Sequence, residues 1–145
     1  MGKVADGNLV GALLIDLSKA FDSINHSQLL QELGKIGCSK LAISWFSSFL
    51  QDRIQRVKIG SAVSTWSPVS KGVPQGSPLS PLLFNIAVRL LPHSVDTEVF
   101  QFADDLTNAV ADKNADNLAL KLQDSYSTIK SFCADKNLSI NVDKT

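Results

Sequence analysis

Two strongly apolar runs in this chain end at aspartate. The first is Val10–Asp16 (VGALLID), and the second leads into the tetrapeptide Phe102-Ala103-Asp104-Asp105. Apolar runs of this length are typical of buried strands. As antiparallel neighbours the two strands would bring their acidic ends together, and charges about 4 Å apart repel by ~4 kcal/mol at an effective dielectric of ~20. A divalent cation, or protonation of one carboxylate, would relieve that repulsion.

Composition limits the class of protein. The chain has 145 residues, of which 44% are hydrophobic, so it can bury roughly 70% of its unfolded surface as one domain. Its 14 basic and 14 acidic residues balance. Affinity for a polyanion must therefore come from a local patch or from chain outside these residues.

Two cysteines, Cys38 and Cys133, lie far apart with no Cys or His at ligand spacing. This argues against a zinc site and favours an intracellular protein of the nucleus or cytoplasm. No apolar run approaches the ~18 residues that a membrane span needs, so no membrane partner is expected.

Local patterns predict an α+β domain with helices packed on one face of an antiparallel sheet. Strand 9–16 is apolar on both faces and is predicted to be central and covered on both sides. Asn25 or Ser27 caps a helix to Lys35, and Ser39 caps another. The other predicted elements are a hairpin over 53–69, a helix over 78–91, a hairpin over 98–111 turning at Asp104-Asp105, a helix after Asn114, and a strand over 138–141.

The helix after Ser39 has an apolar stripe that is predicted to be core. The stripe consists of Leu41, Ala42, Trp45, Phe46, Phe49 and Leu50. Arg53, Arg56 and Lys58 then form the most basic stretch of the chain. Two interpretations stay open for it: a solvated hairpin edge protected by its charges, and a contact with a template strand.

Each acidic motif has a structural alternative when taken alone. An Asp-Asp pair suits a turn, because Asp tolerates turn dihedrals. Asp16 alone could be a cap, and Pro74-Gln75-Gly76 alone could be any loop. Their combination predicts a phosphoryl- or nucleotidyl-transfer site.

Four segments together resemble the successive palm motifs of reverse transcriptases, most closely those of non-LTR (LINE-type) retrotransposons. They are LIDLSKAFD (14–22), GVPQGSPLSPLLFN (72–85), FADD (102–105) and LSINVDKT (138–145). The resemblance implies a right-hand polymerase palm, with a ferredoxin-like antiparallel sheet, plus part of the fingers. Residues 1–145 would form a single partial domain in which the upstream fingers and the thumb are absent.

The resemblance also implies roles for individual residues. Asp16, Asp104 and Asp105 would be catalytic and hold two Mg²⁺ ions, or Mn²⁺ in their place, with the Leu17 carbonyl as a further ligand. Lys144 would protonate the leaving pyrophosphate, with a solvated terminal lysine as the alternative. The residues implied to bind substrate are Lys19, Ala20, Phe21, Gln75 and Gly76.

Phe21 occupies the family's sugar-gate position, where a ring beneath the sugar leaves no room for the 2′-hydroxyl that distinguishes ribonucleotides. Its alternative is a core aromatic. Gln75 and Gly76 match a loop that contacts the nucleotide and lets backbone approach closely; their alternative is a tight turn.

The implied partners are an RNA template, a DNA primer, deoxynucleoside triphosphates and the remaining domains of a longer polyprotein. Ala87–Leu91 departs from the family pattern at the end of its helix. Because the upstream fingers and the thumb, which hold the substrates in this family, would be missing, we expect little primer extension by this chain alone. The rival functions are a non-catalytic nucleic-acid- or protein-binding module and a nucleotidyl cyclase-like enzyme, which the Pro-Gln-Gly motif argues against.

Overall fold

The structure, a computed structural model, describes residues 7–145. These residues divide into two compact units. The first contains residues 7–20 and 88–145, and the second contains residues 21–87.

The first unit is built on a three-stranded antiparallel sheet. Its strands are β1 (Leu9–Ile15), β7 (Glu98–Phe102) and β8 (Asp105–Asp112), in the order β1–β8–β7. Helix α5 (Ala115–Asp135) follows β8 and packs against β1 and β8. The short strands β2 (Leu17–Ser18) and β9 (Ser139–Ile140) form a separate antiparallel pair. This arrangement confirms the predicted α+β class.

Alternation along the strands explains why α5 covers one face of this sheet. In β8, Leu106, Asn108 and Val110 are buried while the residues between them are not. The neighbouring strand β1 presents Gly11 to the same helix, and a Cβ there would lie 2.7 Å from Leu122 Cδ1. The glycine therefore lets helix and sheet approach closely.

The prediction that the first strand is central and covered on both sides is wrong. Strand β1 lies at the edge of the sheet, and β8 is the central strand. Leu9, Val10 and Leu14 are exposed, with Leu14 at 64%. A continuous apolar run cannot report which face lacks a covering element, because that depends on distant parts of the chain.

The second unit is mostly helical. It contains helices α1 (Ala20–Ser23, beginning at the boundary), α2 (His26–Lys35), α3 (Lys40–Leu50) and α4 (Ser80–Val88, ending at the boundary). The predicted caps are confirmed: Asn25 accepts from the Gln28 N–H and Ser39 from the Ala42 N–H.

The prediction that the α3 stripe is core is only partly right. Leu50 is fully buried and Phe46 and Phe49 are half-buried, but Leu41 is 82% exposed and Trp45 is also exposed. Helix α2 packs against α3 but covers only part of the apolar stripe, so the rest of the stripe is exposed.

The predicted hairpin after α3 is confirmed as two short strand pairs. Strand β3 (Ile54–Gln55) pairs with β6 (Ser67–Pro68), and β4 (Lys58–Ile59) pairs with β5 (Ala62–Val63). Helix α4 is shorter than predicted and is followed by a 3₁₀ turn, Leu91–His93. Pro92 has no N–H to continue an α-helix.

In the described part of the chain, no helix combines the length and apolarity that crossing a bilayer requires.

Candidate active site

The acidic hairpin has a two-residue turn. Phe102 pairs with Asp105, so Ala103 and Asp104 form the turn. The predicted turn at Asp104-Asp105 is therefore wrong by one position, and Asp105 is the first residue of β8. Ala103 has a φ of +52°, a left-handed conformation that costs an L-residue about 1–2 kcal/mol.

Strand pairing brings Asp16 to the same end of the sheet as this turn. Ile15 pairs with Leu106 in the antiparallel ladder of β1 and β8. One step further along the ladder, Asp16 follows Ile15 on one strand and Asp105 precedes Leu106 on the other. In an antiparallel pair, residues at opposed positions direct their side chains to the same face. The register thus places the Asp16 and Asp105 positions opposite each other.

Asp16 is held by Asn141, a residue that the sequence analysis did not identify. The Asn141 N–H donates to the Asp16 carbonyl at 2.8 Å, and its side-chain amide donates to Asp16 Oδ2 at 3.0 Å. Leu17 pairs with Ile140 in the β2–β9 ladder. Asp16 precedes Leu17 and Asn141 follows Ile140, so this pairing places Asp16 opposite Asn141. The only sequence signal was the position of Asn141 at the end of the last predicted strand.

Lys144 lies near the same carboxylate. Its Nζ is 3.9 Å from Asp16 Oδ2, and its side chain is 68% exposed. A backbone hydrogen bond from Lys144 to the Asn141 carbonyl, at 3.1 Å, forms a turn that returns the lysine toward Asp16. This contact is compatible both with a proton donor and with a solvated lysine.

The donor set suits Mg²⁺, which prefers carboxylate oxygens. Asp16 and Asp105 lie one position beyond the last pair of the β1–β8 ladder, Ile15 with Leu106, and Asp104 is the adjacent turn residue. As placed, however, no three His, Cys, Asp or Glu side chains within residues 7–145 form a group that could hold a metal ion. The residues fit the ion in chemistry and in strand register, and the three-carboxylate cluster stays a prediction.

The Pro-Gln-Gly loop is bound to the segment after Asp16 within the second unit. Gln75 Nε2 donates to Asp22 Oδ1 at 2.9 Å, and the Val73 N–H donates to the Phe21 carbonyl at 2.9 Å. A Cβ on Gly72 would lie 2.8 Å from Asp22 Cα, whereas one on Gly76 would meet nothing within 4 Å. Close approach of backbone within the chain therefore occurs at Gly72.

Phe21 is half-buried and stacks on Phe84, with ring centroids 4.7 Å apart. The stack fixes the ring while part of it stays accessible, which suits both a core aromatic and a sugar gate. Of the other implied ligands, Ala20 and Leu17 are buried, and Lys19 has a φ of +48°. The roles of these residues in substrate binding stay predictions.

Comparison with known proteins gives the family. The sequence model described as "Reverse transcriptase (RNA-dependent DNA polymerase)" matches residues 5–145. The chain belongs to this reverse transcriptase family. The match covers nearly the whole chain and includes all four motifs on which the resemblance depends.

The reverse transcriptase chain is similar to polymerases of mobile elements. It is 32% identical to the RNA-directed DNA polymerase from mobile element jockey of Drosophila melanogaster, covering 93% of this chain and 15% of the relative. It is 28% identical to the probable RNA-directed DNA polymerase from transposon BS of the same organism (97% and 16%). It is also 28% identical to the Pol polyprotein of type-1 retrotransposable element R2 of Popillia japonica (90% and 20%). The predicted resemblance to retrotransposon reverse transcriptases is confirmed, and the chain spans 15–20% of the length of these relatives.

A solved structure supports the fold. The apo telomerase of Candida Tropicalis, truncated from its C-terminal domain, superposes with a TM-score of 0.64 at 18% identity. The match covers 94% of this chain and 30% of the telomerase chain. The predicted polymerase-type α+β fold is confirmed.

Proposed function

We propose that this reverse transcriptase chain is the palm core of an RNA-directed DNA polymerase. Within a longer polyprotein it would extend a DNA primer along an RNA template, using deoxynucleoside triphosphates. Family membership supports the class of enzyme. The finer assignment, two-metal nucleotidyl transfer by named carboxylates, depends on the geometry at one end of the first unit's sheet.

The observation that supports this function best is the register of β1 and β8. Ile15 pairs with Leu106, and the next position along the antiparallel pair is an aspartate on both sides: Asp16 follows Ile15, and Asp105 precedes Leu106. A binding module has no need for carboxylates opposed across a ladder, where they repel. A nucleotidyl transferase uses such a pair to hold cations.

Asp16, Asp104 and Asp105 would hold Mg²⁺, with the Leu17 carbonyl as a further ligand. Bound there, Mg²⁺ would activate the primer 3′-hydroxyl and neutralise the charge that develops on the pyrophosphate. Positioning is the main task that remains for the protein, because phosphoryl-type transfer depends chiefly on alignment and charge neutralisation.

The chain's own side chains would perform that positioning. Asn141 orients Asp16 through two hydrogen bonds, and Lys144 keeps an ammonium 3.9 Å from the same carboxylate. Phe21, fixed against Phe84, would exclude a 2′-hydroxyl. The Gln75 amide, already bonded to Asp22, would present the Pro-Gln-Gly loop to the nucleotide.

The test measures extension of a DNA primer along an RNA template. It uses a longer polypeptide that contains this chain and has this activity. Asp104→Asn keeps the size of the side chain and removes the charge, so extension should fall by at least ~100-fold while thermal unfolding changes little. Asp124→Asn, on the exposed surface of helix α5, is the matched control and should retain activity. Full extension by Asp104→Asn would refute the proposed function.

A further inference from the structure

We propose that residues 53–69, the basic hairpin, bind single-stranded nucleic acid through Trp66 and the cations around it. The inference goes beyond the proposed polymerase function, because it requires no metal, nucleotide or primer terminus. The sequence left two interpretations of this hairpin open, a solvated edge and a contact with a template strand, and the inference favours the second.

Charge is the first argument. The basic hairpin contains three basic residues, Arg53, Arg56 and Lys58, and no Asp or Glu, so it has a charge of +3. The whole chain is neutral at 14 basic against 14 acidic residues, so the rest of it has a charge of −3. The local excess is the patch that a neutral chain needs in order to attract phosphates.

Exposure is the second argument. Every residue from 54 to 68 is exposed, so both faces of the basic hairpin are open to solvent. Arg56 lies over the indole of Trp66, with Cζ 4.5 Å from the ring centroid. Trp66 nevertheless remains 56% exposed. An aromatic surface beside a guanidinium is what proteins use to stack the bases of unpaired strands.

The pattern of exposure also argues against simple edge protection. Lys and Arg alone protect a hairpin edge, whereas an exposed Trp66 together with Val57 and Ile59, the last 76% exposed, adds apolar surface that favours association. A ligand that complements this surface must have both negative charge and flat apolar groups. An unpaired nucleic acid strand has both; a duplex hides its bases in the stack, and an acidic peptide lacks them.

The experiment measures binding of a fluorescent 20-nucleotide oligouridylate to the whole chain by anisotropy, at low ionic strength, without metal or nucleotide. We expect a dissociation constant on the order of 10 μM. Trp66→Ala should weaken binding about 5- to 100-fold, and Trp66→Phe should restore most of the affinity. Arg56→Gln should reduce the slope of log affinity against log salt by about 0.7.

Trp45 provides the matched control, because it is also exposed but lies on helix α3, outside the basic hairpin. Trp45→Phe should bind within twofold of the parent chain, and its remaining indole, Trp66, should be quenched by the oligonucleotide. Lys40→Gln, on the same helix, controls for loss of one charge.

Affinity of Trp66→Ala within twofold of the parent chain would overturn the inference, as would no binding by the parent chain. Equal, Trp66-dependent binding of poly-glutamate would also overturn it and indicate an acidic protein partner. Failure of primer extension in the Asp104 experiment leaves this result unaffected, so the two proposals can fail separately.

Discussion

The side-chain amide of Asn141 donates a 3.0 Å hydrogen bond to the carboxylate of Asp16, across 125 positions of sequence. The backbone N–H of Asn141 bonds the Asp16 carbonyl as well, at 2.8 Å. Two bonds from one residue fix both the backbone and the side chain of Asp16 at the end of strand β1. Asn141 is therefore a positioning residue for the candidate active site.

Removing the Asn141 side-chain amide should remove one of the two hydrogen bonds that hold Asp16 in place. We expect Asn141→Ala to lower the free energy of unfolding by about 1–2 kcal/mol, because a hydrogen bond contributes roughly 1 kcal/mol between neutral groups and roughly 1.5–3 kcal/mol to a charged group. Urea unfolding of the chain measures the change. Ser139→Ala, at the exposed position of β9 two residues before Asn141, is the control and should unfold within 0.5 kcal/mol of the parent chain, roughly the range of surface substitutions. Equal effects of the two variants would remove Asn141 from the positioning role.

Local signals predicted most elements, and long-range relationships were harder to predict. The caps at Asn25, Ser39 and Asn114 depend on hydrogen bonds within three residues, so a short window of sequence contains them. Asn137 likewise has the left-handed conformation, at φ +58°, that ends a helix. These features follow from nearest-neighbour chemistry.

The errors have a common physical origin. Strand β1 looked central because its run is apolar throughout, yet Leu14 is exposed and the strand lies at the sheet edge. Leu41 and Trp45 looked like core and are exposed for the same reason. Burial depends on which other elements cover a face, and periodicity does not report that. The Asn141 contact was missed because nothing near Asp16 in the sequence indicates it.

The strain at Ala103 can be measured. Ala103→Gly removes the Cβ that disfavours a φ of +52°, a gain of about 1–2 kcal/mol, offset by roughly 0.5–1 kcal/mol of added freedom in the unfolded chain. We expect a net stabilisation of about 0.5–1 kcal/mol in urea unfolding. Ala109→Gly, in the middle of β8, should instead destabilise by about 0.5–1 kcal/mol. A less stable Ala103→Gly chain would mean that the turn is not strained.

Gly72 and Gly76 separate two effects of adding a methyl group. Both have a φ of +84°, but only at Gly72 would a Cβ lie within 3 Å of the Asp22 backbone. We expect Gly76→Ala to cost about 1–2 kcal/mol for conformation alone. Gly72→Ala should cost about 2–4 kcal/mol, because the Asp22 backbone must also move. Thermal unfolding of the two variants gives the comparison, and equal losses would contradict the close approach.

An ion pair in the first unit predicts a pH dependence. The Lys121 ammonium, 2.6 Å from Asp112 Oδ2, and the Asn114 N–H lower the pKa of Asp112 below its usual value of about 4. A lowered pKa in the folded state contributes stability above pH ~4 that is lost as pH falls through the folded value.

Lys121→Gln should therefore be less stable than the parent chain at pH 6, and the difference should shrink when the pH is lowered to a value below about 4, where Asp112 becomes protonated. Urea unfolding at both pH values checks this. Lys130→Gln removes the same charge from the same helix and should show a smaller difference at pH 6. A difference for Lys121→Gln that is unchanged at low pH would exclude Asp112 as the group responsible.

Phe21 predicts sugar selectivity. Its ring stacks on Phe84 at 4.7 Å and is half-buried, so a smaller side chain should leave space where a 2′-hydroxyl could fit. In a longer polypeptide that extends primers, Phe21→Ala should raise ribonucleotide use relative to deoxynucleotide use by about tenfold or more, since one removed steric contact is worth about 1–3 kcal/mol. Leu50→Ala is the control. Leu50, on helix α3, is fully buried, so that variant should lose stability while keeping the parent's sugar preference. If the two variants discriminate equally between the sugars, Phe21 is a core aromatic and not the gate.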